Sequence, residues 1–239
     1  MPPEWLPTVG LSETYLVMSP LRNINQCHVA SEVVMRALHL FGLPAEAVAL
    51  EIEVENSRGS IVHHGRAQPQ FANGQVLGHV GLIADDHFLD ITASQYPEIK
   101  AHGGIRVVGA PLRGQGSGVL TTGAVMMTRL VDGHLVKYTA HPRGSADAVM
   151  QSDGLAAGEI EVLTNNLHIG YCQLLSSPLL IERVRSLPRD RYARFIAAVE
   201  DMKDKETDDI NGILSIVTPL DLPQTTDKEH QRYHDTNRD

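Results

Sequence analysis

Cys27, His79 and Asp90 are the residues of this chain whose types and order could do nucleophilic chemistry. Cys27 stands in Asn25-Gln26-Cys27-His28-Val29-Ala30-Ser31, where irregular sequence gives way to the apolar-periodic Glu32-Val33-Val34-Met35-Arg36-Ala37-Leu38. A thiol at a helix start feels the positive end of the aligned peptide dipoles, which favours thiolate. A histidine oriented by a carboxylate is what such a thiol needs to act on a carbonyl. In that scheme Cys27 is the nucleophile, His79 takes its proton, and Asp90 fixes the imidazole tautomer and stabilises the imidazolium. The developing oxyanion needs donors. The backbone N–H of Cys27 is free at the helix end and is one candidate. A side-chain amide from Asn23, Asn25 or Gln26 is the other, and Gln26 is the choice made.

The segment between His79 and Asp90 can be tested by counting. A two-residue turn at Asp85-Asp86 pairs Ala84 with His87, Gly81 with Asp90 and His79 with Thr92. Side chains alternate between faces, so His79, Gly81, Asp90 and Thr92 share one face. Asp90 is then the diagonal neighbour of His79, within reach of its ring, and Gly81 leaves room for the bond. A four-residue loop keeps this register, whereas a three-residue loop reverses it.

The elements that must hold these residues are legible in outline. Val29, Val33, Val34, Ala37, Leu38 and Phe41 recur at helical spacing, and Gly42 with Pro44 ends the helix. Residues 48–54 alternate apolar and acidic as a half-exposed strand. The polar stretch 56–73, with His63-His64, is expected to be a loop or flap. Strands are expected at 75–83, 87–92 and 105–108, with a break at Gln95-Tyr96-Pro97. Six glycines between 103 and 118 suggest a mobile loop; no strand–helix context supports a phosphate loop there. A hairpin turning at Asp132-Gly133 is expected from 119–131 and 134–139. Residues 143–158 read as irregular, 159–163 as a strand, 174–187 as containing a short helix. Residues 189–205 form an amphipathic helix with Tyr192, Phe195, Ile196 and Val199 on one face. That helix is expected to be a packed surface helix or a dimer contact; the sequence does not set the oligomeric state.

These elements make one domain over residues 1–220. It holds the motif region 20–110, a β-rich extension at 118–165 and the C-terminal helix, with residues 1–24 draped over it. The polar end, 221–239, is expected to be a disordered tail.

Composition narrows the function classes. A formal charge of −9 without any Lys/Arg-rich stripe argues against nucleic-acid binding. No apolar run is long enough to span a bilayer, so no membrane partner is expected. The two cysteines, Cys27 and Cys172, fit reduced thiols, and the N-terminus lacks a signal-peptide pattern, so the expected compartment is the cytoplasm. His63, His64 and His87 lack metal-ligand spacing, and no cofactor is expected. Taken alone each residue has a plainer reading: a free cysteine is most often packing, as expected for Cys172. His28 reads as helix-terminal surface.

The order of Cys, His and Asp resembles the transglutaminase-like branch of the papain-like superfamily, which includes transglutaminase-like proteases and arylamine N-acetyltransferases. The resemblance lies in Gln26-Cys27-His28-Val29-Ala30-Ser31, in Gly78-His79-Val80-Gly81-Leu82-Ile83 and in Phe88-Leu89-Asp90-Ile91-Thr92-Ala93-Ser94-Gln95-Tyr96. It implies an α+β, papain-like fold with an N-terminal catalytic helix packed on an antiparallel sheet. It also implies that Cys27, His79 and Asp90 attack an amide or thioester carbonyl of a protein, peptide or small molecule through an acyl-enzyme. Hydrolysis (peptidase or deamidase) and N-acyl transfer both fit. The chain lacks the aromatic residue often beside the family's cysteine, having Gln26 and His28 there, and the acetyltransferases' Arg-Gly lead-in. A catalytically inactive protein of the same fold, binding a peptide or small ligand in its cleft, is the alternative, favoured if Cys27 lies away from His79.

Overall fold

Helix α2, Cys27–Leu40, is the element around which the fold is organised. Its apolar face (Val29, Ala30, Val33, Val34, Ala37, Leu38) is fully buried. Gly42 adopts φ +74° and closes it: the Gly42 N–H donates to the His39 carbonyl and the Leu43 N–H to that of Leu38. This double reversal needs a left-handed residue and explains the glycine. In this computed structural model the described residues are 1–19, 26–55, 58–100, 107–111, 124–131, 134–142, 144–151 and 157–204. Met1–Asp204 forms one compact unit, and the second unit, Lys205–Asp239, falls outside the described residues, as does the expected tail.

The α2 helix lies against an antiparallel sheet. Strand β1, Ala45–Glu55, is central and unusually long. Its first half pairs with β5, Val80–Ala84, and its second half with β2, Ile61–Gly65. Its other edge pairs with β9, His134–Ala140, which in turn pairs with β8, Ala124–Val131. Beyond β5 come β6, His87–Asp90, and β7, Val108–Pro111. A separate two-stranded hairpin joins β3, Gln70–Ala72, to β4, Gln75–Leu77. Alternation along the strands makes two cores. Leu82, Ala84 and Leu89 join the helices on one face. Ile83 and Phe88 join Val48, Leu50, Ile52, Val136 and Tyr138 on the other. The fold class is therefore α+β.

Several sequence expectations are corrected. Residues 3–18 do not drape: Pro3–Trp5, Leu6–Gly10 and helix α1, Leu11–Met18, are successive helical turns whose Leu6, Val9, Leu11, Tyr15 and Leu16 are core residues. The expected strand at 159–163 lies within an α-helix. After helix α3, Pro97–Lys100, and helix α4, Asp147–Met150, comes helix α5, Ala157–Leu175. Its buried residues Ile160, Thr164, Leu167, Tyr171 and Leu175 recur every three or four positions. Five residues of alternating apolar and acidic type fit either period, and the longer pattern decides. The β-rich extension therefore ends at Ala140.

The single strand expected over 75–83 is two, broken at Gly78, whose φ of +135° interrupts the pleat. The stretch expected to be a loop, 56–73, contains β2 and β3, with an Asn73-Gly74 turn at positive φ joining β3 to β4. Helix α6, Ile181–Arg185, and helix α7, Arg189–Asp204, match their expected positions. Among the described residues no helix is long and apolar enough to cross a membrane. Most of the glycine-rich segment lies outside the described residues.

Candidate functional site

The thiol is placed by the start of α2. Gln26, at φ −125°, is not yet helical, and its carbonyl accepts the first helical hydrogen bond from the Ala30 N–H. The Cys27 N–H, one residue in, belongs to the end whose donors have no intrahelical acceptor. Cys27 is 3% exposed. It belongs to a buried cluster with Val80, Ala146 and Val149, against which the half-buried Ala47, Val76 and Met150 pack.

The imidazole and carboxylate are placed by the β5–β6 hairpin. Asp85 and Asp86 have φ of +47° and +62°, the left-handed pair that a two-residue turn between twisted strands requires. Ala84 pairs with His87, Ile83 with Phe88 and Leu82 with Leu89, the register obtained by counting. His79 precedes β5 by one residue and is held in line by its carbonyl, which accepts from the Leu50 N–H at 3.0 Å. Its ring and the Asp90 carboxylate are both fully buried. His79 Nε2–H donates to Asp90 Oδ1 at 2.9 Å, and the Thr92 N–H donates to the same oxygen at 3.2 Å. The space beside Gly81 is filled differently from expectation. A Cβ there would lie 2.6 Å from Leu50 Cδ1 and 2.7 Å from the Leu89 carbonyl oxygen, so the glycine admits Leu50 and the neighbouring strand.

The Cys27 thiol lies within hydrogen-bonding reach of the His79 ring. Burial alone would lower the histidine's pKa. The Asp90 charge and hydrogen bond, joined by the hydrogen bond and charge of Cys27, outweigh it and push the value up to about 10. Tyr96 borders the same group, its ring edge-on to His79 at 5.2 Å. Burial, followed by the Asp90 and Cys27 charges, raises its phenol well above 10. On the far side His64 stacks on Tyr96 at 4.1 Å and lies 3.1 Å from Glu98 Oε2.

One contact at the centre had no role in the sequence reading. The turn Ala93–Gln95 folds the chain back after Asp90, and the Gln95 amide nitrogen donates to His79 Nδ1 at 3.0 Å. Both ring nitrogens are therefore engaged, by Asp90 on one side and Gln95 on the other. The Gln95-Tyr96 pair following Asp90 was the available signal, since both residues turn back onto His79.

The remaining candidates separate clearly. The Gln26 side chain does not cap α2, and its Oε1 is buried without a partner among the described residues. Asn23 and Asn25 lie outside the described residues. His28 is not surface: its ring meets Phe71 of β3 at 5.8 Å, both ring nitrogens are buried without partners among the described residues, and burial lowers its pKa. His63 is exposed and His64 half-buried, adjacent residues of β2 that alternate between its faces. His87 is buried elsewhere, against Trp5, with its Nδ1 on the Asp85 carbonyl. No group of three His, Cys, Asp or Glu side chains among the described residues could hold a metal ion. Cys172 is fully buried in α5.

No family model, no curated protein and no solved structure matches the chain. The chemistry of the site therefore rests on its own groups. A thiol, an imidazole and a carboxylate stand in sequence, beside a helix end whose first N–H groups have no intrahelical acceptor. Such a set can accept, hold and return one proton while a sulfur–carbon bond forms and breaks.

Proposed function

We propose that the protein is a thiol enzyme acting on an amide or thioester carbonyl, with a papain-like, transglutaminase-like fold. The observation that carries this reading is the buried His79, bonded to Asp90 through Nε2 and within reach of the Cys27 thiol. Cys27 Sγ attacks the carbonyl carbon and its proton passes to His79. The carbonyl π pair moves onto oxygen, where the Cys27 N–H donates and the Gln26 amide is the second candidate donor. Collapse of this adduct expels the amine or thiol, which takes the proton from His79, and leaves an acyl thioester on Cys27. Water or an amine then attacks the thioester, with His79 taking and returning a proton again. Asp90 keeps the imidazole oriented and lowers the cost of its charged state. Whether the acyl group passes to water or to an amine is decided by the groups that admit the acceptor, which the three residues do not dictate.

The test is intact-protein mass spectrometry after incubation with a panel of peptide amides, acyl thioesters and activated esters. A covalent adduct of acyl mass on Cys27, absent in Cys27→Ala and strongly slowed in His79→Asn, is expected. Acylation of Cys172 instead, or none by any donor once the thiol is accessible, would overturn the proposal.

A further inference from the structure

A thiol that reacts must be reached, and Cys27 is 3% exposed while His79 and Asp90 are fully buried. The buried cluster that holds the thiol is not made by the central sheet and α2 alone. Val76 of β4 packs against this cluster, and its Ala146 and Val149, with Met150 packed beside them, belong to the short α4 region. Phe71, in β3, closes over His28, the residue after the thiol.

The β3–β4 hairpin is built as a separate piece. It forms its own two-stranded sheet, outside the seven-stranded one. It is entered after Gly65, at φ +79°, and left through Gly78, at φ +135°. A two-stranded ribbon is marginally stable by itself and depends on what it packs against. What it packs against is imperfect, because both His28 ring nitrogens are buried there without partners among the described residues. A buried polar atom without a partner costs free energy that opening to water returns. The cover is thus held shut by apolar contacts and opposed by the groups beneath it.

We propose that residues 66–78 are a lid that swings about Gly65 and Gly78 to admit substrate to Cys27. The inference rests on the thiol-enzyme reading only in requiring that Cys27 be reached. In the closed state described here the site is latent, and every reaction of the thiol draws on the fraction of molecules with the lid open, so both opening and chemistry set the rate. Removing the Phe71 ring weakens closure by deleting its contact with His28 while leaving every residue of α2, β5 and β6 in place. Placing a Cβ on Gly78 does so from the hinge, where it would stand 2.7 Å from Pro69 Cβ at a φ that side chains rarely adopt.

Alkylation by iodoacetamide, followed separately at Cys27 and Cys172 by peptide mass spectrometry, reads the lid directly. Phe71→Ala and Gly78→Ala should each speed labelling of Cys27 by about tenfold or more, leaving the Cys172 rate and the urea midpoint nearly unchanged; tenfold corresponds to about 1.4 kcal/mol. Amide exchange of the unaltered protein should show 70–77 opening faster than α2. Unchanged Cys27 labelling in both variants, acceleration only in step with Cys172, or exchange of 70–77 no faster than α2 would overturn the lid. The companion variant Phe71→Ala/His79→Asn separates the two ideas. If labelling of the uncovered thiol is the same with and without His79, the enzyme reading falls and the lid stands.

Discussion

The hydroxyl of Tyr192 donates a 2.6 Å hydrogen bond to the Asp85 carboxylate across 107 residues of chain. Beside it Arg191 Nε donates to Asp85 Oδ1 at 2.9 Å, and Arg191 Nη2 to Asp86 Oδ2 at 2.7 Å. Helix α7, which the sequence offered as a surface helix or dimer contact, thus clamps the turn of the hairpin that presents His79 and Asp90. Tyr192→Phe should lower stability by about 1.5 to 3 kcal/mol, the range for a hydrogen bond to a charged group, as measured by urea denaturation. A loss under about 0.5 kcal/mol would show that the clamp contributes little.

The His79–Asp90 pair makes a pH prediction whose sign is fixed. The folded-state pKa of His79 is raised to about 10 from an ordinary 6.5. Its contribution is therefore full below about pH 6.5 and is lost as pH rises toward 10. Asp90→Asn should cost about 3 to 5 kcal/mol at neutral pH, as expected for breaking a buried pair. It should also remove part of the decline between pH 6.5 and 10. Denaturation curves at several pH values check both, and an unchanged slope in the variant would contradict the assignment.

His28 titrates in the opposite sense. Burial lowers its pKa, so the folded state binds fewer protons than the unfolded chain. Stability should fall as pH drops below about 6.5. His28→Phe removes two buried, unpartnered nitrogens and extends contact with Phe71. The variant should be more stable by about 1 kcal/mol at neutral pH. Its advantage should widen at pH 5, as read by thermal melting; a variant less stable than the parent at pH 5 would refute this.

The Gln95 amide lies 3.0 Å from His79 Nδ1, the nitrogen that takes the Cys27 proton in the proposed mechanism. A hydrogen bond to the unprotonated ring opposes its charging. Gln95→Met keeps the length of the side chain and removes the donor. Alkylation of Cys27 at neutral pH should then be about fivefold faster, the factor expected from about 1 kcal/mol. A rate equal to the parent's would remove Gln95 from the proton's path.

What was legible in the sequence was local and periodic. The α2 helix carries its own start, stripe and stop, and the Asp85-Asp86 turn fixes register by itself, so the His79–Asp90 proximity followed from counting. The errors came where distant packing decides. Residues 159–163 alternate like a strand, yet Leu167, Tyr171 and Leu175 draw them into a helix against α2. The N-terminal prolines suggested an irregular drape, but Leu6 and Val9 belong to the helical core, and the Tyr171 hydroxyl of α5 donates to the Leu6 carbonyl. Asn73-Gly74 was a hairpin signal passed over because its strands are only three residues long. Gln95 could not be assigned because its contact with His79 depends on a turn closed by tertiary burial.

Burial of the thiol also bears on redox chemistry. Peroxide converts exposed thiolates to sulfenic acid, and further oxidation is irreversible. Cys27 is 3% exposed and lies in the cluster against which Val76 and Met150 pack, so it is shielded from oxidants in the closed state. Its oxidation should accordingly be slow at rest and rise with the time that residues 66–78 spend open under the lid proposal, as peroxide treatment of Phe71→Ala against the parent would show.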